Sequence, residues 1–406
     1  MDAPVQNRRQ RRLGGPFAWV GERVLARIDR GIVVGAIAVS LPGDVPNRLG
    51  GRAAGPEAVV ILHSWRSLWR LATGGSVGWY KAWAAGEWES PDPVALFELF
   101  ALNRNTLAPV GRARGFARWV RRMWHRARRN DRAGARRNIV EHYDLGNEFY
   151  ELWLDPSMTY SSAMFAALGQ SLEDAQRNKL QAILDRTECG PGDRILEIGC
   201  GWGSFAETAA RAGASVHGIT LSSEQKAYAE ERLARQSLPG EVELVDYRDV
   251  AGVYDGVASI EMVEAVGAEY WRDYLATIAR ALKPGGRAAI QYIAIDDAIY
   301  ADYARNVDFI QRYVFPGGML LSERRFRAIA EQIGLAWRDR HAFGLDYAET
   351  LRRWREAFDG VVAAGRLPAR FDKRFIGLWR FYLMYCEGGF RGGAIDVAQV
   401  TLVKEG

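Results

Sequence analysis

Asp193-Arg-Ile-Leu-Glu-Ile-Gly-Cys-Gly-Trp-Gly-Ser-Phe205 runs an apolar strand into a turn carrying Gly199, Gly201 and Gly203, and a helical pattern begins directly after it. Glycine reaches backbone angles closed to other residues, and its missing side chain lets a ligand lie against the main chain. The helix that follows turns its unpaired N–H groups toward the same spot. Strand, turn and helix are contiguous, so the segment reads as a nucleotide-type cofactor site rather than a simple tight turn. A dinucleotide fingerprint would want glycine or alanine at position 204 and an acid about twenty residues on. The chain has Ser204 and, further on, Ile219-Thr220.

Outward from this turn, the pattern alternates strand and helix: 193–199, 203–212, 215–220, 223–236, 241–245, 255–261, 269–282 and 287–293. Such alternation predicts a parallel sheet with helices on both faces. Segments at 334–340 and 396–403 look like strands that complete it. The aromatic stretch 300–330, with Tyr303, Phe309, Tyr313 and Phe315, falls between two sheet strands, where an insertion can cover the mouth of a site. Before residue 110 the pattern is that of a smaller α+β module: a helix from Phe17 to Ile28, then strands at 32–41 and 57–62. Between the two, Phe116, Trp119, Val120, Met123 and Trp124 recur at helical steps among arginines, which predicts a basic amphipathic linker helix over 111–138.

At 406 residues the chain is long for one core, and the three divisions expected are 1–110, 111–138 and 139–406. Three cysteines make neither a disulfide framework nor a zinc pattern, so no metal is expected. The net charge of +5 is unevenly placed, with arginine crowding 8–30 and 112–137. Such blocks seek anionic partners, and the amphipathic one suits a bilayer surface or, equally, a linker packed on a domain. Nucleic acid is not the expected partner, because the aromatics are spaced for a helix and form no stacking module. No apolar run approaches the roughly 20 residues of a membrane span, and no secretory signal is evident, so a cytoplasmic protein is expected.

The G-x-G-x-G turn resembles that of Rossmann-like methyltransferases that use S-adenosylmethionine. Beyond it, Val216 to Ser222 leads to a helix start where Thr220 and Gln225 would face the cofactor ribose, and Asp246-Tyr247-Arg248 follows the third strand at the ligand-binding edge. Seven ordered motifs make the likeness more specific: His142-Tyr-Asp-Leu-Gly-Asn147, Leu154-Asp-Pro-Ser-Met-Thr-Tyr-Ser161, Leu196 to Gly203, Gly218-Ile-Thr-Leu-Ser222, Asp246-Tyr-Arg-Asp249, Ser259-Ile-Glu-Met-Val-Glu264 and Tyr385-Cys-Glu-Gly-Gly-Phe390. Together they resemble the cyclopropane-fatty-acyl-phospholipid synthase family, over essentially all of residues 139–406. The N-terminal part resembles, more loosely, the lipid-associated domain of that family's long bacterial members.

The resemblance implies an α/β fold: a Rossmann-like class I methyltransferase domain with helical insertions after a smaller α+β domain. It implies transfer of a one-carbon unit from S-adenosylmethionine to the double bond of an unsaturated phospholipid acyl chain, by a protein held peripherally on the inner face of the cytoplasmic membrane. A homodimer is the expected assembly. Tyr160, Ser161, Glu197, Gly199, Gly201, Trp202, Gly203, Thr220, Gln225, Asp246, Tyr247 and Arg248 are the implied cofactor residues. The family's base is a bound bicarbonate, which Glu264 and Tyr347 would hold here. Ser162 stands where the family has cysteine, Gln291 where it has histidine, and Ala265 where a second histidine often follows the glutamate. Gln donates a hydrogen bond but cannot titrate. Methyl-branching relatives carry Glu-Ala, so the product is expected to be methyl-branched or methylene more than cyclopropane. A non-catalytic lipid-binding relative, or a methyltransferase of another small molecule, would share many of these residues.

Overall fold

The computed structural model describes residues 17–43, 45–107 and 145–405. The linker helix expected at 111–138, and His142 to Asp144 of the first motif, lie outside them. Helix α1 (Ala18–Gly31) leads into a four-stranded sheet in which β1 (Val34–Leu41) is flanked by β2 (Val45–Gly50) and β3 (Ala53–Leu62), with β4 (Trp88–Glu89) beyond β3. β2 runs antiparallel to β1 and β3 parallel to it. Between β3 and β4 lies α2 (Arg66–Ala84), broken at Gly75, whose φ of 57° belongs to the left-handed region.

The larger sheet has seven strands. β5 (Arg194–Ile198), β6 (Ser215–Thr220), β7 (Gly240–Leu244), β8 (Tyr254–Ile260) and β9 (Leu282–Ile295) pair in parallel in the order β9-β8-β5-β6-β7. β5 carries apolar side chains on both faces because both are covered: Ile195, Leu196 and Ile198 are essentially inaccessible. The last strand departs from the expected parallel sheet. β10 (Leu335–Ala342) is followed by two long helices and then β11 (Ile395–Lys404), which inserts antiparallel between β9 and β10. The two helices form an antiparallel pair, which returns the chain in the opposite direction.

The modules share one core. Helix α3 (Pro93–Leu102) starts with Pro93 behind an Asp92 cap, whose carboxylate accepts from the N–H groups of Val94 at 3.0 Å and Ala95 at 3.2 Å. It is apolar nearly all round because it is covered on both sides, by β3 and by the long C-terminal helix Lys373–Arg391. A glycine in that helix and one at its C-cap allow the approach: a Cβ at Gly388 would lie 2.4 Å from the Phe97 Cβ, and one at Gly392 2.4 Å from the Ala101 Cβ. The buried cluster runs without a break from Val24 and Ile37 through Phe97 to Trp354, Phe381 and Phe390. Burying each such side chain contributes about 1.5–3 kcal/mol.

Candidate active site

A cavity of about 650 Å³ opens at the carboxyl edge of the large sheet and continues beneath the N-terminal module. Its first end is the glycine turn. Gly201 has φ 52°, and a Cβ there would meet nothing within 4 Å, so it would project into free space. Gly203 is needed for a different reason: its Cβ would lie 2.9 Å from that of Ala229. It packs the turn against the helix Ser223–Arg235 and does not line the cavity. Trp202 lines the cavity with its indole N–H donated to Asn147 Oδ1 at 2.8 Å.

Beside the turn, Thr220 donates to Gln225 Oε1 at 2.9 Å, and both face the cavity with Tyr247. Asp246 and Arg248, expected here as cofactor residues, do not line it. They pair with each other, Arg248 Nε donating to Asp246 Oδ1 at 2.8 Å. Glu197 does line it, with Oε2 buried and lacking a hydrogen-bond partner. Burial pushes its carboxyl up to about 8, against the pull of the Lys179 ammonium. An orphaned buried oxygen beside a Cβ-free turn fits a cofactor with a cationic amino-acid end and a flat nucleoside. Among the described residues, no cluster could hold a metal ion.

Deeper in, Tyr160 and Ser161 form the wall, with Tyr160 and Tyr382 sharing a hydroxyl hydrogen bond at 2.9 Å. Two carboxylates follow on the turn after β8. Glu264 accepts from the Ile293 N–H, and its second oxygen is buried without a partner. Burial, and then the charge of Glu261, push its carboxyl up to about 8.

The sequence expectation needs correction here. Tyr347, Gln291 and Ser162 were expected around Glu264, yet all three donate to Glu261. Tyr347 OH reaches Glu261 Oε2 at 2.6 Å, while Gln291 Nε2 at 2.8 Å and the Ser162 N–H at 2.9 Å reach Oε1. Glu261 has φ 49°, left-handed backbone that costs a residue with a side chain about 1–2 kcal/mol. That backbone turns its carboxylate toward the Gln291 side chain on β9, which the register sets opposite the preceding residue, Ile260. Glu261 lines the cavity, whereas Ser162 and Gln291 stand behind it. The Ser162 hydroxyl itself is spent on the Ala163 carbonyl at 2.9 Å. Burial raises the Glu261 carboxyl. The Tyr347 hydrogen bond, the Ser162 N–H and the Lys179 charge pull it back.

Lys179, which sequence reasoning passed over, is fully buried on the helix Leu172–Thr187 and donates to Ser161 Oγ at 2.6 Å. Burial pushes its ammonium down to about 8, opposed by Glu261, Asp155 and Glu197. A signal existed: Ala175, Lys179, Leu180 and Ile183 fall on one helical stripe, and a lysine within an apolar stripe needs buried anions. The insertion was expected to lie over the mouth, and it does line the cavity through Tyr303, Ile310, Gln311 and Phe315. It is tied to the N-terminal module where Ser76 Oγ donates to Asp308 Oδ1 at 2.7 Å.

Residues 130–400 match the family model described as mycolic acid cyclopropane synthetase. The chain belongs to this family. Among cyclopropane synthetase relatives, a tuberculostearic acid methyltransferase of Mycobacterium tuberculosis is 38% identical over 355 residues, 83% of this chain and 81% of the relative. The cyclopropane-fatty-acyl-phospholipid synthase of Escherichia coli is 37% identical over 266 residues, 65% of this chain and 67% of the relative. A mycolic acid cyclopropane synthase solved with S-adenosylhomocysteine and CTAB superposes with a TM-score of 0.63 at 29% identity, covering 66% of this chain and 98% of that one. This cyclopropane synthetase family member is therefore an S-adenosylmethionine-dependent methyltransferase that modifies lipid acyl chains.

Proposed function

We propose that the enzyme methylates the double bond of an unsaturated acyl chain in membrane phospholipid, giving a methyl-branched or methylene chain in preference to a cyclopropane. The observation that carries this reading is one continuous cavity, which runs from the glycine turn past Glu261 and Glu264 into apolar walls made by both modules, including Leu71, Phe100, Phe315, Leu351 and Phe390. An alkene is an uncharged nucleophile that needs no deprotonation, so the site requires alignment, dryness and a proton acceptor rather than an activated serine or cysteine.

S-adenosylmethionine supplies the methyl carbon as an electrophile on sulfur. The turn at Gly199–Trp202, Glu197, Thr220 and Gln225 would hold its two ends, with Tyr160 and Ser161 against the methionine part. The faces of Tyr160, Phe315 and Tyr382 and the Glu261 carboxylate favour positive charge developing on the chain carbon. The length of the match to the tuberculostearic acid methyltransferase, which extends into the N-terminal module, supports the branched product.

The test is incubation with unsaturated phospholipid vesicles and cofactor carrying a fully deuterated methyl, then mass spectrometry of the released acyl chains. A methyl-branched alkene keeps all the transferred deuterium, whereas a methylene or cyclopropane product loses one deuteron. The reading is wrong if no acyl chain gains a carbon while cofactor demonstrably binds.

The same reading has the protein resting on the cytoplasmic face of an anionic membrane. Among the described residues, no helix is long and apolar enough to cross a bilayer. Support comes from the arginine runs at 8–30 and 112–137 and from large apolar side chains left in solvent on α1 and α2, Trp19 at 62% and Trp69 at 41% exposure. Arg23 lies over the Trp19 ring at 4.7 Å, an amphipathic pairing suited to the headgroup level. Trp19→Ala with Trp69→Ala should reduce co-sedimentation with anionic vesicles several-fold. Added salt should weaken the wild type further, because exposed charge attraction is screened. Equal sedimentation with neutral and anionic vesicles would remove the electrostatic part.

A further inference from the structure

Bicarbonate, the base implied by the resemblance, does not fit this site. The donors that would hold it are already engaged, since Ser162 N–H, Gln291 Nε2 and Tyr347 OH all end on the Glu261 carboxylate at 2.6–2.9 Å. A free oxyanion would have to displace that carboxylate or lie beside it as a further buried anion near Glu264. The amide orientations are set from outside. Arg186 Nε donates to Gln399 Oε1 at 3.1 Å, Gln399 Nε2 donates to Gln291 Oε1 at 3.0 Å, and Gln291 Nε2 donates to Glu261. Arginine only donates, so each amide in the chain turns its oxygen toward Arg186 and its NH₂ group toward Glu261. The relay ends on an acceptor whose anionic form the three donors favour, and that acceptor faces the cavity.

We propose that the Glu261 carboxylate is the enzyme's resident proton acceptor, taking the place of a bound bicarbonate and making turnover independent of dissolved carbonate. This rests on the acyl-methylation reading above. The alkene π pair takes the methyl carbon, and the C–S pair stays on sulfur, leaving neutral S-adenosylhomocysteine and a carbocation on the chain. A Glu261 oxygen then removes one proton from a carbon next to the cation, and the C–H pair becomes the new π bond. Glu261 ends the step as a neutral acid and returns the proton to solvent when product leaves. Gln291, Tyr347 and Ser162 are positioning groups for that carboxylate. The bidentate hold on Glu261 fixes which chain proton it can reach, whereas a diffusible base has more freedom.

Two measurements test this. In the first, ¹³C-bicarbonate is titrated into protein loaded with S-adenosylhomocysteine and followed by NMR. Wild type should bind none. Glu261→Gly, allowed by the left-handed φ of 49°, leaves the donors free and should bind it. In the second, turnover is measured in carbonate-free buffer. The wild-type rate should be unchanged by added bicarbonate. Glu261→Gln should lose about 10²- to 10⁴-fold with cofactor affinity retained, and bicarbonate or formate should restore part of the rate of Glu261→Gly. Tyr347→Phe should move the acid limb of the pH–rate profile upward, because it removes a hydrogen bond that lowers the Glu261 pKa. Bicarbonate binding by wild type, a wild-type rate that collapses without carbonate, or full activity in Glu261→Gln would overturn the proposal. If wild type methylates no acyl chain, the acyl-methylation reading fails, and the NMR titration still decides whether Glu261 holds the oxyanion position.

Discussion

Gly201→Val is expected to weaken S-adenosylmethionine binding by at least about 100-fold, roughly 3 kcal/mol, in calorimetric titration, while circular dichroism stays that of a folded protein. The Gly201 Cβ would touch no protein atom within 4 Å, and Gly201 lines the cavity, so the added bulk starts in the space proposed for the cofactor. Its cost to folding is confined to backbone strain at φ 52°, of the order of 1–2 kcal/mol. Gly203→Val makes the contrast. There the Cβ would strike Ala229 at 2.9 Å, so that variant should lose stability first and affinity only in consequence. Unchanged affinity in Gly201→Val would remove the cofactor from this turn.

Lys179→Met should lower kcat at neutral pH about tenfold or more and shift the acid limb of the pH–rate profile up by about 1–2 units. The buried ammonium favours the ionised forms of Glu261 and Glu197, and methionine keeps its bulk without its charge. The proton acceptor works only when ionised, so the rate falls as pH drops through its pKa. Raising that pKa, already above the ordinary carboxylate value, leaves a smaller ionised fraction at pH 7. The cofactor carries a net positive charge, so KM for it should change less than kcat. A variant with an unshifted acid limb would show that Lys179 serves Ser161 alone.

The strands of the large sheet were legible because they are short apolar runs between glycine turns. The segments read at 215–220 and 255–261 are found at Ser215–Thr220 and Tyr254–Ile260. The segment read at 396–403 is likewise the strand Ile395–Lys404, but its antiparallel direction was not legible, since that follows from the helix pair before it and not from its own residues. β2 escaped notice because Val45-Pro-Asn-Arg-Leu-Gly50 is a mostly exposed strand with proline and polar residues, which reads as a turn. In the site, Glu261 and Glu264 are three residues apart, and a helical reading gives them one face. The left-handed Glu261 separates them, and its partner Gln291 is brought in by the register of β8 against β9. Neither the φ value nor the register is local information. Lys179 differs, since its place in an apolar stripe could have marked it.

The packing of α3 against the C-terminal helix also bears on how the chain is made. α3 ends at Leu102, and the helix that covers its second face starts at Lys373. During synthesis the N-terminal module therefore waits for nearly the whole catalytic domain, about 15 to 55 s at ordinary elongation rates, with Phe97 and Ala101 lacking their final partners. The nascent protein carries an uncovered, aggregation-prone apolar ridge for that interval. For the same reason, expression of residues 1–110 alone should give aggregates instead of an independent lipid-binding fragment.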